Sequence, residues 1–164
     1  MEQEKTHDLL MTRLRENNCR VVTAESCTGG WIAKTLTDRP GSSDYCVGGF
    51  VTYSNQAKHY MIGVPEQTIA DHGAVSPEVV SAMCEGALVH SDATIAIAVS
   101  GIAGPGGGSE QKPVGTVWFG CIQREQAIAY VECQQFSGSR DDIRRSTVTR
   151  ALEILLEQVE GNRE

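Results

Sequence analysis

Arg20-Val21-Val22-Thr23-Ala24-Glu25-Ser26-Cys27-Thr28-Gly29-Gly30-Trp31-Ile32 holds the transition that decides the architecture. Residues 20–24 form a short run of β-favouring side chains. Ser26-Cys27-Thr28-Gly29-Gly30 is a tight turn, after which Trp31, Ile32, Thr35 and Leu36 recur at helical spacing. Strand, turn and helix follow one another here within a dozen residues or so, as in α/β chains.

Working outward, residues 6–17 read as a helix, with Leu9, Leu10 and Leu14 among charges and Asn17-Asn18 to end it. Arg39-Pro40-Gly41-Ser42-Ser43 is a break. Tyr45 to Tyr53 reads as a strand whose Gly48-Gly49 pair implies a bulge or a close backbone approach, and Ser54-Asn55 ends it. Ser76 is a good helix N-cap with Pro77 at the first helical position, and Val79, Val80, Met83, Ala87 and Leu88 give one apolar face. Thr94 to Val99 is apolar throughout, as in a strand covered on both sides.

A glycine-rich loop runs from Ser100 to Pro113. Val114 to Ile122 and Ala127 to Phe136 form an antiparallel hairpin around the charged turn Gln123 to Gln126. Ser139 opens a long last helix through a capping box in which Asp142 replaces the commoner Glu. Ile143, Thr147, Ala151, Ile154, Leu155 and Val159 line its apolar face. Crossovers together with a hairpin imply one α/β domain over residues 1–164: a three-layer sandwich with a mixed β-sheet flanked by helices.

Composition narrows the function. The chain has 164 residues, enough to bury a core without disulfides or metal, and is 40% hydrophobic and 21% charged. Aromatics are only 5%, against 17 glycines, which favours backbone-lined loops. A net charge of -7 argues against nucleic-acid binding, which needs a basic footprint, but leaves room for a local anion site. No apolar run is long enough for a membrane span, and Met1-Glu2-Gln3-Glu4-Lys5 lacks the plan of a signal peptide, so a cytoplasmic location is expected. The six cysteines (19, 27, 46, 84, 121 and 133) form no C-x-x-C pair, and in that compartment reduced, mostly buried thiols are expected.

Four segments are candidates for chemistry. Ser26, between a strand end and a helix start, is placed either as a nucleophile facing the N–H groups of the first helical turn or as an ordinary helix cap. Cys27 is a rival nucleophile, or simply a small buried hydrophobe. Thr52-Tyr53-Ser54-Asn55-Gln56-Ala57-Lys58 holds a lysine that could serve as a base if desolvated, and otherwise is a solvated surface side chain. The Ser100–Ser109 loop follows a buried strand, where open α/β sheets bind ligands; it matches neither a Walker loop nor a dinucleotide fingerprint. Arg140, in the first turn of a helix, is either an anion ligand or the partner of a surface carboxylate.

Taken in order, five stretches resemble the CinA C-terminal domain family, and within it the stand-alone bacterial nicotinamide-nucleotide amidohydrolases. They are Thr23–Gly30, Gly49–Asn55, His72–Ser76, Ser100–Pro105 with Lys112–Val117, and Phe136-Ser137-Gly138 with Arg140. The resemblance runs from about residue 6 to residue 158. It implies metal-free, cofactor-free hydrolysis of the carboxamide of nicotinamide mononucleotide. Ser26 would be the nucleophile, Lys58 the base and Tyr53 a helper. Thr28, Gly29, Gly30, Ser100, Gly101, Ile102, Ala103, Gly104 and Arg140 would bind substrate, with Gly29 and Gly30 as candidate oxyanion donors. It also implies a homodimer, with no nucleic-acid or membrane partner, and a chain too short for the second domain of full-length relatives. The family commonly reads Gly-Asp-Arg where this chain has Gly138-Ser139-Arg140, which alters the charge beside the arginine. The rival classes are a catalytically silent nucleotide binder, an interaction or DNA-damage accessory protein, and a thiol enzyme built on Cys27.

Overall fold

The computed structural model describes residues 2–161; Met1 and 162–164, the outer ends of the expected domain, lie outside the described residues. The helices are α1 (Glu2–Glu16), α2 (Trp31–Leu36), α3 (Asn55–Ile62), α4 (Glu66–His72), α5 (Pro77–Val89) and α6 (Arg140–Gly161). The strands are β1 (Val21–Glu25), β2 (Cys46–Val51), β3 (Ile95–Gly101), β4 (Thr116–Gln123) and β5 (Tyr130–Gln135).

The strands form one sheet in the order β2-β1-β3-β4-β5. β1 pairs in parallel with β2 and β3, whereas β3/β4 and β4/β5 are antiparallel, so the sheet is mixed as expected. The chain winds outward from β1 in both directions. The carboxyl ends of β1 and β3 therefore flank a topological switch point, where open α/β sheets leave a crevice. Ser26 follows β1, and its N–H extends the pairing by donating to the Val99 carbonyl at 3.1 Å.

Alternation along the strands makes two cores. Val21, Ile95, Ile97, Val99, Val117 and Phe119 pack against α1, α2 and α6 on one face. Val22, Ala24, Ala96 and Ala98 pack against α3 and α5 on the other. The split is by size, with large side chains under three helices and mostly alanine under α5, which therefore lies close to the sheet. Truncating a fully buried side chain such as Ile97 to alanine would cost about 2–5 kcal/mol.

Two glycines make close approaches. A Cβ at Gly49 would strike the Thr23 hydroxyl, and one at Gly86 would strike the Ile62 carbonyl. The first keeps β2 against β1, and the second lets the end of α3 lie on α5. The register also skips Val47, so the expected bulge is present beside the glycine pair.

The expected caps are in place. Ser76 accepts from the Val79 N–H, and Ser139 and Asp142 exchange side chain-to-backbone bonds at 3.2 and 2.8 Å. The element limits shift in places. α1 begins at Glu2 rather than residue 6, and the hairpin strands are shorter than read, at Thr116–Gln123 and Tyr130–Gln135. The strand read as Tyr45–Tyr53 spans Cys46–Val51. Helices α3 and α4 were not anticipated. The cysteines are all free, but only Cys27, Cys84 and Cys121 are buried, so the thiols are less enclosed than expected.

Candidate active site

The residue after β1 and a residue from α3 meet across the sheet edge. Lys58 Nζ lies 2.9 Å from Ser26 Oγ, 2.9 Å from the Thr52 carbonyl oxygen and 3.2 Å from that of Tyr53. Local structure aims it there. Ser54 caps α3 by accepting from the Ala57 N–H at 3.0 Å, so the helix starts directly below β2. The inward face of α3 then consists of Lys58 and Ile62, one turn apart. Lys58 is 1% exposed and Ser26 8% exposed.

Burial without a carboxylate partner disfavours the ammonium form, and Lys58 is lowered from its ordinary 10.5 to about 8. The hydrogen bonds suit both protonation states. As an ammonium, Nζ donates to all three oxygens, while the Ser26 hydroxyl can point to the Tyr53 carbonyl at 3.3 Å. As an amine, Nζ keeps two N–H bonds to the carbonyls and turns its lone pair to the Ser26 hydroxyl. The two carbonyls thus orient the amine without supplying a counter-charge. Cys27, next in the chain, is pushed up to about 11 by burial, so it is a neutral thiol at physiological pH and a poor nucleophile.

The turn that carries Ser26 is held by Glu25, whose side chain is fully buried. Its carboxylate accepts from the Thr28 hydroxyl at 2.6 Å, the Ile32 N–H at 2.8 Å, the Ala33 N–H at 2.9 Å and the Thr23 hydroxyl at 3.1 Å. This corrects one expectation. The N–H groups of the first turn of α2 do not face Ser26, because Glu25 occupies them. Nor is Ser26 the cap, since the helix starts after Gly30, which makes no side-chain cap bond. Arg144, on α6, braces the same turn by donating to the carbonyls of Cys27 and Thr28 at 3.0 and 3.2 Å.

A cleft of about 320 Å³ opens over the pair. It is lined by Ser26, Cys27, Tyr53, Asn55, Lys58, Ala74, Val75, Ser100, Gly101, Ile102, Ala103, Gly104, Gly106, Gly107 and Arg140. Ser26, Lys58, Tyr53, the Ser100–Gly104 segment and Arg140 are thus brought together. Gly29 and Gly30 are not; they line a separate groove with Thr28, Trp31, Lys34 and Arg144. Thr28 is buried with its hydroxyl committed to Glu25. Tyr53, expected as a helper, meets Ser26 and Lys58 through its backbone carbonyl, while its hydroxyl accepts from Arg140 at 3.2 Å.

Arg140 also donates to the Gly104 carbonyl at 2.7 Å. Its partners in the described residues are neutral, so the cation faces the cleft uncompensated. Around it, the N–H groups of Ala103, Gly104, Gly106 and Gly107 meet no acceptor among the described residues. Free N–H groups beside a guanidinium are a ready seat for an anion. Among the described residues no cluster of His, Cys, Asp or Glu could hold a metal ion, and no helix is long and apolar enough to cross a membrane.

Sequence reasoning missed Glu25, Asn55, Ala74 and Val75 as parts of this site, and carried Gly106 and Gly107 only within the candidate loop Ser100–Ser109. Glu25 had a signal, a charged residue ending an otherwise apolar or β-favouring strand. Ala74 and Val75 lay in a recognised stretch with no chemistry of their own to mark them.

Comparison with known proteins places the geometry in a lineage. The model of the CinA C-terminal domain matches residues 3–159. The nicotinamide-nucleotide amidohydrolase PncC of Escherichia coli strain K12 is 55% identical over 146 residues, covering 88% of this chain and 87% of that protein. The protein of the same name from Pseudomonas putida is 51% identical over 152 residues, covering 90% and 94%. A crystal structure of a competence/damage inducible protein from Agrobacterium tumefaciens superposes with a TM-score of 0.91 at 42% identity, covering 96% of this chain and 95% of that one.

Proposed function

The chain belongs to the CinA C-terminal domain family, and we propose that it hydrolyses the carboxamide of nicotinamide mononucleotide to nicotinic acid mononucleotide and ammonia. Ser26 is the nucleophile and Lys58 the base. The observation that carries this reading is the buried Lys58 amine at 2.9 Å from the Ser26 hydroxyl with no carboxylate at hand. A serine hydroxyl needs a base to attack an amide, and a desolvated lysine is one.

In this reading Ser26 Oγ attacks the carboxamide carbon as its proton passes to Lys58 Nζ. The tetrahedral intermediate collapses, the C–N bond breaks, and Lys58 returns the proton to the departing nitrogen, which leaves as ammonia. Water then attacks the nicotinoyl-Ser26 ester, losing its proton to Lys58. Cleavage of the ester restores the Ser26 hydroxyl. The oxyanion and phosphate contacts come from the wall Ala103–Gly107 and from Arg140, because the donors of α2 are already used by Glu25. A negative ligand near Arg140 is compatible with the acidic chain, since the local charge decides binding.

The protein is further proposed to act in the cytoplasm as a homodimer, as a single domain that needs neither metal nor cofactor. The test is ammonia release from nicotinamide mononucleotide by the wild type and by Ser26→Ala, each in EDTA. Release by the wild type alone is expected. Equal release by both would exclude Ser26, and none by either would exclude this substrate.

A further inference from the structure

We infer that Lys112 is a positioning residue that latches the glycine-rich wall of the cleft and thereby sets substrate affinity; the kinetic part of this rests on the amidase reading above. The wall belongs to an excursion between β3 and β4. Its ends are joined, with the Ile102 N–H donating to the Thr116 carbonyl at 2.9 Å and the Gly115 N–H to the Ile102 carbonyl at 2.7 Å. Its tip is also closed on itself. The Ser109 N–H donates to the Lys112 carbonyl at 2.9 Å, and the Lys112 N–H to Ser109 Oγ at 3.0 Å.

Across 105–113 every residue is exposed except Lys112, which is half-buried. Its Nζ donates to the His72 carbonyl at 2.9 Å, at the end of α4. The next residues but one, Ala74 and Val75, line the same cleft as Ala103, Gly104, Gly106 and Gly107. Lys112 therefore ties the segment bearing Ala103–Gly107 to the segment bearing Ala74 and Val75. From the other flank, Arg140 donates to the Gly104 carbonyl. Arg140 thus holds the loop at one of its own carbonyls, and Lys112 ties the loop to a carbonyl outside it.

A lysine on an open surface normally extends into water, because fixing its long side chain costs rotamer entropy. Lys112 is ordered onto a carbonyl instead, and among the described residues it forms no ion pair. The bond does not touch Ser26 or Lys58, so its effect falls on cleft shape and substrate binding rather than on the proton-transfer pair.

The test combines hydrogen–deuterium exchange of the ligand-free protein with steady-state kinetics on nicotinamide mononucleotide, in wild type, Lys112→Met and Lys112→Arg. Lys112→Met is expected to speed exchange about tenfold at the hydrogen-bonded amides of the excursion, those of Ile102, Ser109, Lys112 and Gly115, because the local opening loses a charge-assisted bond. It is expected to raise KM about five- to tenfold with kcat within about twofold, and Lys112→Arg is expected to recover most of both. Equal exchange in wild type and Lys112→Met would overturn the latch whatever the substrate. Faster exchange with unchanged KM would overturn its role in affinity. A wild type that releases no ammonia would instead count against the amidase reading, and the exchange comparison would still decide the latch.

Discussion

Glu25 and Lys58 are both charged side chains removed from water beside one cleft, and they are treated in opposite ways. Glu25 is surrounded by four donors, two hydroxyls and two backbone N–H groups, and its two oxygens accept from all of them. Lys58 has two carbonyls and a hydroxyl, and these satisfy the amine as well as the ammonium. The carboxylate is therefore a fixed anchor of the turn, whereas the lysine is balanced between two protonation states. Burial alone does not make a charged group chemically active; what matters is whether its partners occupy all of its hydrogen-bonding atoms or leave a lone pair for chemistry.

The largest break in this comparison is at the reacting pair. Ser26→Ala and Lys58→Met should each lower kcat by about a thousandfold or more, measured as ammonia release, and the double variant should be little worse than either, since the two act as a unit. Multiplicative losses would mean that they do not work together.

The second test reads the balance of Lys58 directly. Its pKa is lowered to about 8 in the folded protein, against about 10.5 unfolded. Between those values the unfolded chain carries a proton that the folded chain lacks, so folding stability rises with pH, and the full cost of burial is present below pH 8. Lys58→Met has no such cost. Its stability relative to wild type should fall by about 3 kcal/mol between pH 7 and pH 11, read by denaturant unfolding. A pH-independent difference would show that Lys58 is not strained toward the amine. In the wild type, kcat/KM should rise with pH through a single step near 8, because in the proposed mechanism the free amine is the base.

Glu25→Gln sharpens the other half. The amide keeps one acceptor oxygen but presents an NH2 group where a carboxylate oxygen meets the Ala33 N–H. A loss of about 1–3 kcal/mol in unfolding free energy is expected, with the pH step of kcat/KM still near 8. A moved step would mean that Glu25 also sets the lysine. The smallest effect is expected at Cys27→Ala. Since the thiol is raised to about 11 and neutral, activity should stay within about threefold of wild type. Abolished activity would revive the thiol mechanism.

The same contrast separates the two glycine-bearing turns. Gly29-Gly30 and Gly101–Gly107 look alike in composition, and both follow strands at the crevice. In the first, the Ile32 and Ala33 N–H groups are used by Glu25, the Gly29 N–H by the Ser26 carbonyl and the Trp31 N–H by that of Thr28. In the second, the N–H groups of Ala103, Gly104, Gly106 and Gly107 are unengaged and line the cleft. Whether a glycine turn binds anything depends on donors left over after folding, a property no local stretch reveals.

Much of the fold was legible because it is written in local terms. The run from Arg20 to Ile32 determined a strand, turn and helix through β-branched residues, two glycines and a helical repeat. Ser76-Pro77 and Ser139 with Asp142 marked helix starts, because capping bonds span only three residues. The apolar run Thr94–Val99 declared a strand covered on both faces, as β3 is. The resemblance also marked Ser26, Lys58 and Arg140.

Tertiary structure alone decided what those residues are. The inward face of α3 is Lys58 and Ile62, so a charge stands where periodicity needs an apolar residue and the helix is hidden. α4 buries no side chain fully and has no apolar stripe to read. Lys58 is 32 residues from Ser26, and only the placement of α3 below β2 and against α5 removes it from water. Desolvation is a property of everything packed around a group, so the sequence could name the lysine, but only the fold takes it out of water beside Ser26.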